Sequence, residues 1–273
     1  MKFRTALAAL LSAALLSPAL AANEPGTEHM LAHRAAYRLT LDSVRDSASV
    51  TRAEGIMLFE VVDACDAWAS RQRFTLVLSD RDGNTIETSS DYATLESKDG
   101  TRLRFSLTQM TEGAVTSRIA GEATLTPEGG RVQYSEPSGE AEDLPRGTIL
   151  PMVHTLRSLA AARAGQRILA TPLFDGTSAE GAQDTTTFFS GGWTQPQPNP
   201  NFPLLATLGS ARMRIAFFDR NASSQANGAS TPDYEVSMRY FENGVADELK
   251  MDFGEFVVDG RLGELQPIPS PCS

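Results

Sequence analysis

Residues 86–125 read IETSSDYATLESKDGTRLRFSLTQMTEGAVTSRIAGEATL, and this stretch decides the fold. Lys98-Asp99-Gly100 and Glu112-Gly113 divide it into three runs, Ile86–Glu96, Arg102–Met110 and Ala114–Leu125. Each alternates apolar or β-branched residues with polar ones. Period-two alternation broken by glycine-bearing turns at spacings of roughly 10 residues is the pattern of antiparallel strands joined by hairpins. The pattern continues in both directions. Upstream, Arg73–Leu78 ends at the Asp82-Gly83 turn, Gly55–Val62 ends at Asp63, and Ala36–Leu41 puts Tyr37, Leu39 and Leu41 on one face. Downstream, Glu128-Gly129-Gly130 turns the chain into Arg131–Ser135.

One helix interrupts the meander. Pro151 suits a first helical turn, where its missing N–H costs nothing, and Thr148 is positioned to cap. Val153, Leu156, Leu159 and Ala160 recur at helical spacing, so a helix is expected over Pro151–Ala164, stopped by Gly165. Strand character resumes at Ile168–Phe174, Met213–Phe218, Tyr234–Phe241, Asp247–Phe253 and Glu255–Val258, with turns at Asn243-Gly244 and Asp259-Gly260. Trp193–Pro203 carries four prolines and is expected as a loop or a lid, since proline cannot donate to a ladder. Ala222–Pro232, rich in Ser, Asn and Gly, reads as a second loop.

Composition bounds the compartment and the partners. Lys2 and Arg4, an apolar Ala6–Leu16 and the small residues Ala19-Leu20-Ala21 form a secretion signal over residues 1–22, leaving 23–273 as a single periplasmic domain. Removing the signal takes the formal charge from −10 to −12, against nucleic acid and against a basic patch on anionic lipid. Beyond the signal no apolar run approaches the roughly 18 residues of a membrane span, so a membrane-spanning chain is not expected. Two cysteines, Cys65 and Cys272, in an exported chain are expected to form one disulfide. Asp63 and Asp66 flank Cys65 and disfavour a thiolate, which argues against a nucleophilic role.

No cluster of residues announces a reaction. His29, His33 and His154 are the only histidines and no metal-binding spacing occurs, so neither a metal nor a cofactor is expected. His154, Asp175 and Ser178 supply the residue types of a hydrolytic triad without a G-x-S-x-G. Glu60, Glu87 and Glu96 fall on expected strands and could serve as paired carboxylates, although the solvated face of a sheet is the commoner place for them. What remains is a surface. Phe188, Phe189, Trp193 and Phe202 flank the proline-rich loop; they either pack into the core or form a rim that recognises a partner or ligand.

The ordered motifs resemble the EipB family of cell-envelope integrity proteins. The resemblance rests on Gly55-Ile56-Met57-Leu58-Phe59-Glu60 running into Cys65-Asp66-Ala67-Trp68, and on Leu144-Pro145-Arg146-Gly147-Thr148 followed by Leu150-Pro151-Met152-Val153-His154. Phe174-Asp175-Gly176, Tyr234-Glu235-Val236, Asn243-Gly244-Val245 and Asp252-Phe253-Gly254-Glu255-Phe256 complete it before the final Cys272. The sequence departs from the pattern at Leu95, where an aromatic precedes the glutamate, and at Leu150, where Phe is usual. The resemblance implies an open antiparallel spiral or half-barrel wrapped around one central helix, similar to periplasmic lipoprotein carriers of the LolA and LolB type. It implies a Cys65–Cys272 bridge, periplasmic residence in Alphaproteobacteria, and a non-enzymatic role in envelope integrity through a protein partner, for some members one with helical TPR-like repeats. Two other functions stay open: a carrier of lipid or lipoprotein acyl chains, needing a dry cavity lined by Leu, Ile and Phe, and a cell-wall hydrolase.

Overall fold

A computed structural model describes residues 22–45, 49–220 and 231–272. The secretion signal and most of the Ala222–Pro232 loop lie outside the described residues. Among the described residues, fourteen strands form one sheet in the order β8-β7-β6-β5-β4-β3-β2-β1-β14-β13-β12-β11-β10-β9. The first eight are β1 (His33–Val44), β2 (Val50–Asp63), β3 (Ala67–Asp80), β4 (Thr85–Ser97), β5 (Arg102–Thr111), β6 (Ala114–Thr126), β7 (Gly129–Glu136) and β8 (Ala141–Leu144). After helix α1 (Pro151–Arg163) come β9 (Ile168–Leu173), β10 (Gln183–Thr194), β11 (Ser210–Phe218), β12 (Tyr234–Phe241), β13 (Ala246–Asp252) and β14 (Phe256–Pro267).

Nearly every strand pairs antiparallel with its sequence neighbour, so short hairpins build two fans. They join where β14 returns beside β1, paired from His33↔Pro267 to Val44↔Phe256 with register shifts after Ala36 and after Leu41. The sheet does not close. Its two edges, β8 and β9, are joined through the segment that holds α1.

Curling brings the inner faces of the two fans together. Tyr37 on β1 donates to the Ala246 carbonyl at 2.8 Å, and Phe105 on β5 meets Phe174 edge-on at 5.3 Å. Beside two small clusters around Trp68 and Val153, two large clusters of described residues fill most of the curve. One joins inward residues of β1–β3 to those of β11–β14 around Leu39, Met213 and Val258. The other sets Leu103, Phe105, Val132 and Tyr134 of β5–β7 against Phe174 and Ala182 from the segment after β9. Each such side chain contributes roughly 1.5–3 kcal/mol by leaving water. The outer face is laced with Arg–carboxylate pairs, among them Arg71–Asp91, Arg104–Glu122 and Arg212–Glu248. That division is the one expected of an antiparallel sheet wet on one side. Gly55 permits the tight β2–β3 approach, because a Cβ there would lie 2.1 Å from the Thr75 carbonyl oxygen.

Three expectations need correction. The segment expected to start a loop at Trp193 still pairs through Thr194 as the end of β10. The strand expected over Glu255–Val258 continues to Pro267. Thr148 does not cap α1: its hydroxyl donates to the Pro145 carbonyl at 2.7 Å, and the capping position is Leu150.

Candidate functional site

The helix is held from both ends. At its start, the Met152 and Val153 N–H groups donate to the two carboxylate oxygens of Glu96, at 2.8 and 3.1 Å. A capping side chain ordinarily comes from the residue before the helix; here it comes from β4. Glu96 is 1% exposed. Burial pushes its carboxyl up to about 8, against the pull of the two N–H groups. At the far end Gly165, at φ 74°, donates to Ala162, and Gln166 donates to Ala161, a Schellman closure. His154 is buried on the helix with Nε2 3.0 Å from the Thr187 hydroxyl, and burial lowers its imidazole to about 4.

A second anchor clasps the chain end. Cys65 and Cys272 are bridged, with Cα atoms 5.3 Å apart. Asp63 organises the clasp by accepting from the Cys65 N–H at 2.9 Å, the Ser270 hydroxyl at 3.0 Å and Lys98. Burial alone would raise the Asp63 carboxyl, but these donors hold it below its usual range. The Lys98 ammonium also lies 4.6 Å over the Trp68 ring.

Between helix and sheet lies a cavity of about 330 Å³. Met30, Met57, Met152, Met238 and Met251 line it, giving a deformable apolar wall. Tyr37, Tyr92, Tyr234 and Tyr240 also line it, and burial raises all four hydroxyls, so they stay neutral. His33, Gln72 and Asp175 add polar groups. His33 donates Nδ1–H to the Leu31 carbonyl at 2.7 Å, which leaves a lone pair on Nε2. The lining is thus richer in Met and Tyr than the Leu, Ile and Phe slot expected of an acyl carrier, although Phe59, Val61, Val236 and Leu249 also contribute. The cavity continues toward the end of the curl that α1 leaves open, sharing Gln72, Tyr234 and Met251 with the space beyond.

The residues singled out from sequence land in different places. Phe189, Trp193 and Phe202 are half-buried and pack on the main core cluster. The Arg163 guanidinium from α1 stacks 4.6 Å over the Trp193 ring. Phe188 points outward, 43% exposed, directly across from Ile168 on the edge strand, which is 53% exposed. The acidic and triad residues are not assembled. Glu60 pairs with Arg34 on the outer face, Glu87 is exposed, and Glu96 caps the helix. His154 faces Thr187, the Asp175 carboxylate accepts from Thr177, and the Ser178 hydroxyl accepts from the Glu180 N–H. Among the described residues no group of three His, Cys, Asp or Glu side chains is placed to hold a metal, and no helix is long and apolar enough to cross a membrane. Sequence reasoning missed the cap made by Glu96 and the Met/Tyr cavity. Only the clustering of tyrosines and methionines on β1, β2, β12 and β13 hinted at the latter.

Comparisons with known proteins agree with this architecture. Cell envelope integrity protein EipB of Brucella abortus (strain 2308) is 28% identical over 250 residues, covering 90% of this chain and 87% of the relative. A crystal structure of a beta-barrel-like protein with a domain of unknown function, also from Brucella abortus, matches with a TM-score of 0.78 at 25% identity. That match covers 88% of this chain and 99% of the other. The family model described as EipB-like matches residues 25–269, so the chain belongs to the EipB-like family.

Proposed function

We propose that this protein is a non-enzymatic periplasmic factor of envelope integrity, exported by residues 1–22, that works by binding another periplasmic protein or a peptide. The observation that carries this reading is the exposed Ile168–Phe188 pair at an unclosed sheet edge. Phe189 donates its N–H to the Arg167 carbonyl. Ladder alternation then turns the backbone groups of Ile168 and Ala170 outward, away from β10. A partner strand can add there and cover both apolar side chains. Pro172 limits the free edge to a short stretch, since its carbonyl is already taken by the Ile149 N–H. The relative named for cell envelope integrity supplies the role, and the dispersal of the acidic and triad residues favours binding over hydrolysis.

A photo-crosslinking side chain at Ile168 or Phe188 tests the reading in periplasmic extract. One defined adduct is expected from each, and none from the same probe at Leu58, an exposed outward residue on β2. Equal labelling from all three positions would contradict a specific edge.

A further inference from the structure

At the open end of the curl the cavity widens into a mouth of about 380 Å³, within the size range of small-molecule sites. Its chemistry is unusual for this protein. Charged residues make up 21% of the chain, yet among the described residues none lines the mouth. One wall carries uncharged hydrogen-bonding side chains in adjacent ladders: Gln72 on β3, Thr88 and Ser90 on β4, Gln109 and Thr111 on β5. Ser90 sits directly across from Gln109, and Thr88 from Thr111. The side chains of Gln72, Ser90 and Gln109 make no hydrogen bond to the described residues. The facing wall is aromatic. Tyr234 and Phe253 lie 5.5 Å apart, backed by Phe256 at 5.3 Å from Phe253 and Phe217 at 5.8 Å from Tyr234. Phe253 is 40% exposed.

We propose that this mouth binds an uncharged saccharide, a site additional to the protein-binding edge at β9. A sugar ring has a C–H face that packs on the electron-rich face of an aromatic ring. It also has a rim of hydroxyls that match amide and hydroxyl side chains. Two other guests fit worse. Every strand in both walls is already paired on both sides, so a peptide backbone finds no ladder to join. An alkyl chain would strip water from Ser90, Gln109 and Thr111 without replacing their hydrogen bonds. A charged ligand meets no charged side chain among the described residues that line the mouth.

Titration calorimetry of the full mature chain with the neutral tetrasaccharides tetra-N-acetylchitotetraose and maltotetraose tests the site. Saturable binding of at least one, in the micromolar to millimolar range, is expected. Gln109→Ala and Phe253→Ala, both at exposed side chains, should each weaken it at least about tenfold. Ile168→Asp should leave it unchanged, which separates this site from the β9 edge. No saturable binding of either sugar would overturn the proposal. So would binding that survives both substitutions, or tighter binding of a neutral peptide such as tetraserine.

Discussion

Replacing Glu96 with Gln probes the link between helix and sheet. The two oxygens of the Glu96 carboxyl group accept N–H groups from the first turn of α1 in a site shut off from water. An amide keeps one acceptor oxygen but turns an NH2 group toward the second N–H, so one bond is lost and its donor left buried. That loss costs about 1–3 kcal/mol. The same substitution removes a titration. In the unfolded chain the carboxyl ionises near 4.5, whereas in the fold burial keeps it protonated up to about 8. A folded value above the unfolded one gives stability that is full below 4.5 and lost as pH rises through about 8. His154 acts oppositely. Its folded value of about 4 lies below the usual 6.5, so its contribution is present above 6.5 and fades as pH falls toward 4. The two offset in mildly acidic solution, and from 6.5 to 8 only Glu96 of this pair still titrates. One proton is worth at most about 1.4 kcal/mol per pH unit, so the wild type should lose up to about 2 kcal/mol across that window. Urea unfolding of wild type and Glu96→Gln at both ends of the window gives the answer. The variant should be nearly flat from pH 6.5 to 8, so its stability relative to the wild type should rise by up to about 2 kcal/mol across the window. A variant with the wild-type slope would refute the reasoning.

Three further outcomes are expected from the structure and the sequence. Cys65→Ser should destabilise strongly, because the bridge closes a loop with a sequence separation of 207. Chain entropy gives an upper figure of about 5 kcal/mol for a loop of that size; an unchanged melting temperature on reduction would remove the clasp's role. Gly55→Ala forces a Cβ against the Thr75 carbonyl, and backbone cannot yield cheaply there. A loss of about 1–3 kcal/mol is expected in thermal unfolding, and wild-type stability would contradict the tight β2–β3 crossing. Intact-mass analysis of exported protein should show a mature chain beginning at Ala22 or Asn23; a retained Met1 would refute the cleaved signal.

Much of the sheet was legible because its inward positions are apolar. Tyr37, Leu39, Leu103, Phe105 and Leu107 all lie buried where alternation placed them. β10 escaped because its inward residues are Thr185 and Thr187, buried at 2% and 0% exposure, so the strand shows no apolar alternation. Thr187 is there to meet His154, a tertiary demand that no local window contains. The end of β14 was hidden by Gly260 and Gly263, which let it pack closely beside Leu249 and Ala36. The cap on α1 was illegible for a related reason, because Glu96 reaches it from a strand far back in the chain. Glu96 looked like any solvent-facing glutamate. Only the curl of the sheet, which buries β4 against the helix start, gives it a different environment. The four aromatics near the proline-rich loop were picked as a group, and the geometry divides them: three face the core and Phe188 faces out.

The claim that the β9 edge carries the function is tested most directly by complementation. In a strain lacking this gene, the wild-type chain should restore resistance to envelope-disrupting detergent. An Ile168→Asp, Phe188→Asp double variant that melts like the wild type should not. Full rescue by that folded double variant would contradict the account.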